Sequence, residues 1–158
     1  QRRIFMKKEK MNDKGFSLVE LIIVIAIMAV LVVVLAPQYL KYVERSRNST
    51  DVTNATSIVT ALQVWAADPD ANPAFAVGDD FTITVNETAP ATVPAVTTAA
   101  GKALDEAAIN TDTLSCKSKT KWTSYTITGH VEDNGSITFT YSSTPGGTPD
   151  AFADAMTK

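Results

Sequence analysis

Few residues in this 158-residue chain are of a type and spacing that could carry out chemistry. Cys116 is the only cysteine and His130 the only histidine, so neither an internal disulfide nor a cluster of His and Cys metal ligands can form. The acidic residues are spread along the chain without the local pairing that acid–base catalysis would use. The sequence therefore predicts no catalytic residue, no metal site and no bound cofactor.

Two local patterns resemble ligand sites but have simpler interpretations. Asp68, Asp70 and Asn72 alternate like the start of a calcium loop, yet Pro73 replaces the glycine of its turn and the closing glutamate is absent. We therefore prefer the interpretation that these polar residues end a helix in contact with solvent, rather than bind calcium. Lysine alternates with other residues at Lys117, Lys119 and Lys121. This spacing predicts an edge strand whose lysines face solvent on one side, rather than a DNA contact.

The charge balance and the single cysteine bear on partners. Residues 16–158 hold 8 basic and 15 acidic side chains, a formal charge of −7, which argues against a general nucleic-acid binder. Cys116 is either a buried thiol or the site of a link between molecules, and the sequence leaves both open.

Glu20 is the acid with the most unusual surroundings. Residues 21–36 contain no polar side chain, and 16–36 form an apolar block about long enough to cross a bilayer core of roughly 30 Å as a helix. An ionisable group at the centre of such a span costs about 2.5–3.5 kcal/mol on insertion scales. We therefore expect Glu20 either to have a partner or to lie shallow enough to reach lipid headgroups.

The residues before the block set its orientation. Gly15 and Phe16 precede the apolar run, whereas a secretory signal would be cut after it. By the positive-inside rule, the basic residues ahead of the run hold this end in the cytoplasm and leave the rest of the chain outside. These residues are Arg2, Arg3, Lys7, Lys8, Lys10 and Lys14. Met6 is a candidate start of the translated chain.

Lys14, Gly15, Phe16, Glu20 and the apolar run resemble, at matching spacing, the class III leader and N-terminal segment of type IV pilins and pseudopilins. The resemblance covers roughly residues 6–60. It implies that a prepilin peptidase cuts between Gly15 and Phe16 and methylates the new amino group of Phe16. It further implies an assembly role for Glu20 and a bend at Pro37.

Cleavage would give Glu20 a partner. The free amino group of Phe16 would be a cation about one helical turn from the carboxylate, and the amine of a neighbouring subunit would be an equal alternative. A buried pair of this kind can set the register between subunits. The glycine that many pilins carry upstream of the proline is missing here, which leaves any helix break to Pro37.

The predicted fold class is α+β, with a long N-terminal helix packed on a small antiparallel sheet. The leader is assigned to residues 1–15, the helix to 16–67 with its membrane part at 16–36, and a β-rich head with a C-terminal tail to 68–158. The second part of the helix shows one apolar face at steps of three and four: Val52, Ala55, Val59, Leu62 and Trp65. Pro69 ends the helix.

The β signals lie further along. Residues 80–86 alternate with period two, and 122–141 read as a hairpin whose turn contains Asn134 and Gly135. Residues 102–109 predict a short helix or turn. Asp150 is a candidate cap of a short C-terminal helix carrying Phe152 and Met156, which would either dock on the head or stay mobile.

The sequence thus favours the structural subunit of a type IV pilus, not an enzyme. The precursor would wait in the cytoplasmic membrane and then join a homo-oligomeric filament on the cell surface. The resemblance implies three partners: a prepilin peptidase, an assembly ATPase and a membrane platform protein. The alternatives are a pseudopilin of a type II secretion or competence system and a membrane-anchored binding protein.

Overall fold

A computed structural model of the chain describes residues 15–158; the rest of the leader, with Met6 and the six basic residues, lies outside the described residues. The elements, in chain order, are α1 Leu18–Ala67, β1 Asp80–Val85, α2 Ala99–Glu106, β2 Ser124–Val131, β3 Ile137–Thr144 and α3 Ala151–Met156. This composition confirms the α+β prediction. The chain divides into two compact units, one ending at Leu40 and the other comprising Lys41–Lys158.

Helix α1 begins two residues later than predicted and ends where predicted, at Ala67. Its end follows from Pro69, which pushes the preceding residue out of the helical region. The Asp68 side chain then accepts a hydrogen bond from the Asp70 backbone N–H at 2.9 Å, as a helix stop would. The helix runs through Pro37, whose missing N–H leaves the Val33 carbonyl without its usual intrahelical donor.

The second part of α1 supplies one wall of the hydrophobic core. Ala55, Ile58 and Leu62 are buried, and Val52, Val59 and Trp65 pack beside them. The Trp65 indole N–H donates to the Pro73 carbonyl at 3.0 Å, which satisfies its polar atom. The predicted apolar face is thereby confirmed.

The other wall of the core is a three-stranded antiparallel sheet in the order β1-β2-β3. Ile83 of β1 stands opposite Ile127 of β2, which stands opposite Tyr141 of β3. Ile83, Val85, Tyr125 and Ile127 are fully buried on the inner face. The alternation read from the sequence therefore gives the correct strands and the correct buried face.

The β2–β3 hairpin turns at the predicted Asn134-Gly135. Gly135 has a φ of 80°, a left-handed conformation that glycine adopts without strain. The Asn134 side chain accepts from the Ser136 backbone N–H at 2.9 Å, and the Gly135 N–H donates to the Glu132 carbonyl at 2.8 Å. These local bonds fix the register of the hairpin.

Both short helices are capped by side chains. Thr98 caps α2 by accepting from the Gly101 N–H at 3.2 Å, so this helix begins earlier than the predicted 102–109. Asp150 caps α3, as predicted, and also accepts from the Ser143 backbone N–H at 2.8 Å. Phe152 is buried against Tyr125 with ring centroids 4.4 Å apart. The C-terminal tail is therefore docked rather than mobile.

Candidate functional site at the start of helix α1

Glu20 closes the first turn of α1. Its Oε2 accepts a hydrogen bond from the Ser17 backbone N–H at 2.8 Å, and the Ser17 hydroxyl accepts from the Val19 N–H at 3.4 Å. Ser17 directly precedes the first helical residue, Leu18. The pair forms a capping box, in which a serine and a glutamate three positions later satisfy the unpaired N–H groups of a helix start.

This capping role was missed in the sequence, although the spacing Ser-x-x-Glu carries the signal for it. In the described residues, Glu20 binds its own backbone near the chain end that cleavage at Gly15 would create. Its carboxylate thus lies close to the position of the Phe16 amino group.

Gly15 and Phe16 precede the helix and are exposed. The Phe16 side chain is 91% exposed, and neither residue belongs to a helix or a strand. A Cβ built on Gly15 would meet no atom within 4 Å, and the residue has no positive φ. The fold therefore places no demand for glycine at position 15, so any such demand must come from a molecule that recognises this peptide.

The helix beyond Glu20 presents apolar side chains on every side. Exposed fractions between Leu21 and Leu35 lie at 50% or above for each large apolar residue, and no described residue covers them. Within the described part of the chain, one helix, α1, has a stretch long and apolar enough to cross a membrane, with a mean hydropathy of 3.4. Such a surface is stable only in lipid or against other apolar helices.

A second polar cluster lies on α1 within the unit Lys41–Lys158. Asp51 is fully buried and accepts hydrogen bonds from the Lys117 N–H at 2.7 Å, the Ser118 N–H at 2.9 Å and the Trp122 indole N–H at 2.9 Å. One carboxylate thus satisfies three donors of a segment more than sixty residues away. This arrangement stabilises a loop and contains no reactive group exposed to substrate.

Glu44, also on α1, binds the same loop at residues 118–120. It accepts from the Lys119 N–H at 2.7 Å, the Thr120 N–H at 2.9 Å and the Ser118 hydroxyl at 2.9 Å. Partial burial raises the pKa of Glu44, but these hydrogen bonds outweigh it and lower the pKa from 4.5 to about 2. Glu44 is therefore ionised at any physiological pH.

The strand prediction for the three lysines is wrong. Residues 117–121 form a loop, because Asp51 and Glu44 take the backbone N–H groups that a strand would use in a ladder. The side chains of Lys117, Lys119 and Lys121 are all exposed. Their positions are thus fixed by the helix and not by the sheet.

Cys116 is buried in this cluster. Its Sγ donates to the Asp51 carboxylate at 3.3 Å. Burial and the Asp51 charge raise the pKa of the thiol from 9.0 to about 12, so thiolate is scarce at neutral pH. Of the two alternatives, the buried thiol is confirmed, and an intermolecular link would require the loop to open.

His130 pairs with its cross-strand neighbour. Its Nδ1 lies 2.7 Å from an Asp80 carboxylate oxygen, and both side chains are exposed. The Asp80 hydrogen bond raises the pKa of His130. Across residues 15–158 no group of three His, Cys, Asp or Glu side chains is placed to hold a metal ion.

Comparison with known protein families identifies a motif near the N-terminus of the chain. Residues 10–36 match the family described as the prokaryotic N-terminal methylation motif, and this motif is the class III signal of type IV pilins and pseudopilins. The matched stretch contains Gly15, Phe16, Ser17 and Glu20. No curated protein and no solved structure matches the chain.

Proposed function

We propose, from the class III signal in residues 10–36, that this chain is the structural subunit of a type IV pilus. The observation that carries the proposal is the combination of this signal with an uncovered apolar helix, α1, that begins within it at Leu18. The signal and helix indicate a pilin- or pseudopilin-like precursor that is inserted in the membrane. The pilus and the events below are our proposal.

Processing would occur at the exposed peptide bond between Gly15 and Phe16. A peptidase must bind an extended backbone, and this bond lies outside α1 and beside no packed side chain. Glycine at position 15 leaves the backbone open to close approach by an enzyme. Methylation would then take place on the amino group of Phe16.

Assembly would use the apolar surface between Leu21 and Leu35. In the membrane this surface faces lipid, and in a filament it would face the same surface of neighbouring copies, so its burial persists throughout. Contacts between unlike surfaces of identical subunits propagate as an open helical filament. The unit Lys41–Lys158 would then lie outside the filament core.

Glu20 would fix the register of that packing. The capping bond to Ser17 holds its carboxylate at the start of the helix, and a carboxylate can accept further hydrogen bonds from an ammonium group. The amino group of Phe16, from the same or a neighbouring copy, would be that cation. An unpaired charge in an apolar core is strongly disfavoured, so only registers that pair Glu20 would be populated.

The proposed partners follow from these steps. A prepilin peptidase would cut and methylate the chain. An assembly ATPase would supply the energy for moving the subunit from the membrane into the filament, together with a membrane platform protein. The subunit itself would contribute surfaces rather than catalysis.

The buried thiol allows a direct test in living cells. Wild-type Cys116 should not react with a maleimide dye, whereas Asp133→Cys and Thr148→Cys each place a thiol at an exposed position. We expect fluorescent filaments on cells that carry either variant, and no filament fluorescence on cells with the wild-type chain. If both variants gave dye fluorescence only at the cell outline, without labelled filaments, the result would contradict the pilus proposal. It would favour a pseudopilin or a membrane-anchored protein.

A further inference from the structure

We infer that the start of the unit Lys41–Lys158 carries a binding surface for anionic lipid headgroups. The surface, here called the basic patch, combines three residues of α1 with three residues of the loop 117–121, all exposed. Its members are Lys41, Arg45, Arg47, Lys117, Lys119 and Lys121. The inference rests on the proposed function only for its membrane-inserted stage.

The fold creates the patch by joining two distant parts of the sequence. Glu44 lies between Lys41 and Arg47 and accepts hydrogen bonds from the Lys119 and Thr120 backbones, which brings the lysine loop against α1. Arg47, Lys117 and Lys119 consequently line one shallow cavity together. Of the eight basic residues in 16–158, three stand on α1 between positions 41 and 47 and three in the loop 117–121 that is attached to this part of the helix.

The carboxylates near the patch are largely turned inward. Asp51 is fully buried on backbone and indole N–H groups, and Glu44 binds three donors of the loop in addition to its 3.6 Å contact with Arg47. Glu87 pairs with Lys119. In the described structure Lys41, Arg45, Lys117 and Lys121 have no carboxylate partner, so the outward field is positive.

The remainder of the unit has the opposite character. The two other basic residues are paired with acids: Lys102 with Glu106 of α2, and Lys158, just after α3, with Asp154 of that helix. The acidic residues far from the patch include the exposed Asp80 and Asp133. The unpaired positive charge of the unit therefore lies on two segments: residues 41–47 of α1, which follow the apolar run in sequence, and the loop 117–121, which Glu44 holds against that part of α1.

An anionic bilayer surface fits this placement better than a soluble partner. Lys41 follows Ala36, the end of the apolar run, by five positions. Tyr39 and Tyr42 are exposed on either side of Lys41, and tyrosine is enriched at headgroup depth in membranes. The Arg45 guanidinium lies 5.8 Å from the Tyr42 ring centroid. Basic clusters on the cytoplasmic side of a membrane span bind anionic lipids, and the same electrostatic attraction acts at an anionic leaflet on the other side.

The test uses the full chain, one copy per lipid nanodisc, in phosphatidylcholine alone or mixed with phosphatidylglycerol. An amine-reactive acylating reagent and mass spectrometry report the exposure of each lysine. We expect acylation of Lys117, Lys119 and Lys121 to fall severalfold in the anionic discs and to recover at high salt, because salt screens exposed charges. Lys102 and Lys158 serve as internal references. Equal acylation of the patch in both lipids would overturn the inference.

A paired variant separates lipid binding from a general effect of the charged surface. Arg45→Gln/Arg47→Gln weakens the patch while keeping all three reporter lysines, and should abolish most of their protection; each engaged basic residue contributes on the order of fivefold in binding. Lys102→Gln/Lys158→Gln removes the same charge elsewhere and should leave protection intact; because this variant lacks the two reference lysines, its acylation in phosphatidylcholine discs serves as its reference. Unchanged protection in the arginine variant would contradict the inference. Resistance of Cys116 to alkylation verifies that each variant is folded.

Two further outcomes distinguish lipid from a second copy of the chain as the partner, and the patch from the pilus proposal. Protection that arises in phosphatidylcholine discs only when two copies share a disc would overturn the inference and assign the patch to an acidic surface of a second copy. Lipid-dependent protection in a chain that never enters filaments would support the patch and contradict the pilus proposal.

Discussion

The Oε2 atom of Glu20 lies 2.8 Å from the backbone nitrogen of Ser17 and accepts its hydrogen bond. An acid that appears misplaced in an apolar run is thus held at the helix start by its own backbone. The same bond keeps the carboxylate near the position of the Phe16 amino group, where the proposed filament needs a negative charge.

Substitution of Glu20 should separate capping from charge pairing. Glu20→Gln keeps an oxygen that can accept from Ser17 N–H but removes the charge, while Glu20→Ala removes both. We expect both variants to insert and to be cleaved but to give few filaments, as measured by the protein sheared from cells. Ser17→Ala, which loses only the weaker hydroxyl bond, is the control and should assemble. Normal filaments from Glu20→Gln would refute charge pairing.

Gly15→Ala should block processing without altering the fold. A methyl group at this position meets no neighbouring atom, so the effect would arise in the peptidase site alone. We expect uncleaved precursor to accumulate in the membrane, detected by its mass and by its N-terminal peptide. Efficient cleavage of the variant would show that the glycine has no role in recognition.

Asp51→Ala should destabilise the unit Lys41–Lys158 by about 3 kcal/mol or more. It removes the acceptor of the part-buried Lys117 N–H and of the buried Ser118 N–H and Trp122 indole N–H; an unsatisfied buried donor costs roughly 1–3 kcal/mol. Thermal unfolding of the full chain in detergent measures the loss, with the exposed Asp105→Ala as the matched control. Alkylation of Cys116 should also accelerate. Equal stability of the two variants would contradict the clamp.

Acid should weaken the attachment of the lysine loop. The folded pKa of Glu44, about 2, lies below its ordinary value of 4.5, so its contribution is present above pH 4.5 and is lost as the pH falls towards 2. Glu44→Gln should therefore flatten the stability profile in this window. The measurement is thermal unfolding at stepped pH, and identical profiles for variant and wild type would disprove the assignment.

Gly129→Ala should destabilise the sheet by about 1–3 kcal/mol, as overpacking does. A Cβ at Gly129 would lie 2.2 Å from the Phe81 ring, its cross-strand neighbour. The double variant Gly129→Ala/Phe81→Leu should recover part of the loss, because leucine vacates that space. Denaturant titration of both proteins measures the coupling, and strictly additive effects would exclude the proposed clash.

The parts of the fold that sequence reasoning predicted correctly rest on local, periodic signals. The spacing of Ala55 and Leu62 defines a helix face, and Asn134-Gly135 defines a hairpin, without reference to the rest of the chain. The start of α2 was misplaced because its cap, Thr98, stands in a stretch rich in alanine and threonine. The Ser17–Glu20 cap is also a local signal, because Ser-x-x-Glu directly before an apolar run is typical of a helix start.

The lysine loop could not be predicted in this way. Its alternating residues fit a strand. Its observed conformation depends on Asp51 and Glu44, which lie more than sixty residues earlier in a polar stretch of α1. Burial of a charged residue such as Asp51 is specified by its distant hydrogen-bond partners, and no local pattern announces them. The buried state of Cys116 follows from the same long-range contact.

The pilus proposal is tested most directly by mass spectrometry of filaments sheared from the cell surface, reading the N-terminal peptide of this chain. The proposal predicts that the chain is abundant there and begins at an N-methylated Phe16. A chain that keeps residues before Phe16, or that is cleaved yet remains in the membrane and out of the filaments, would contradict it.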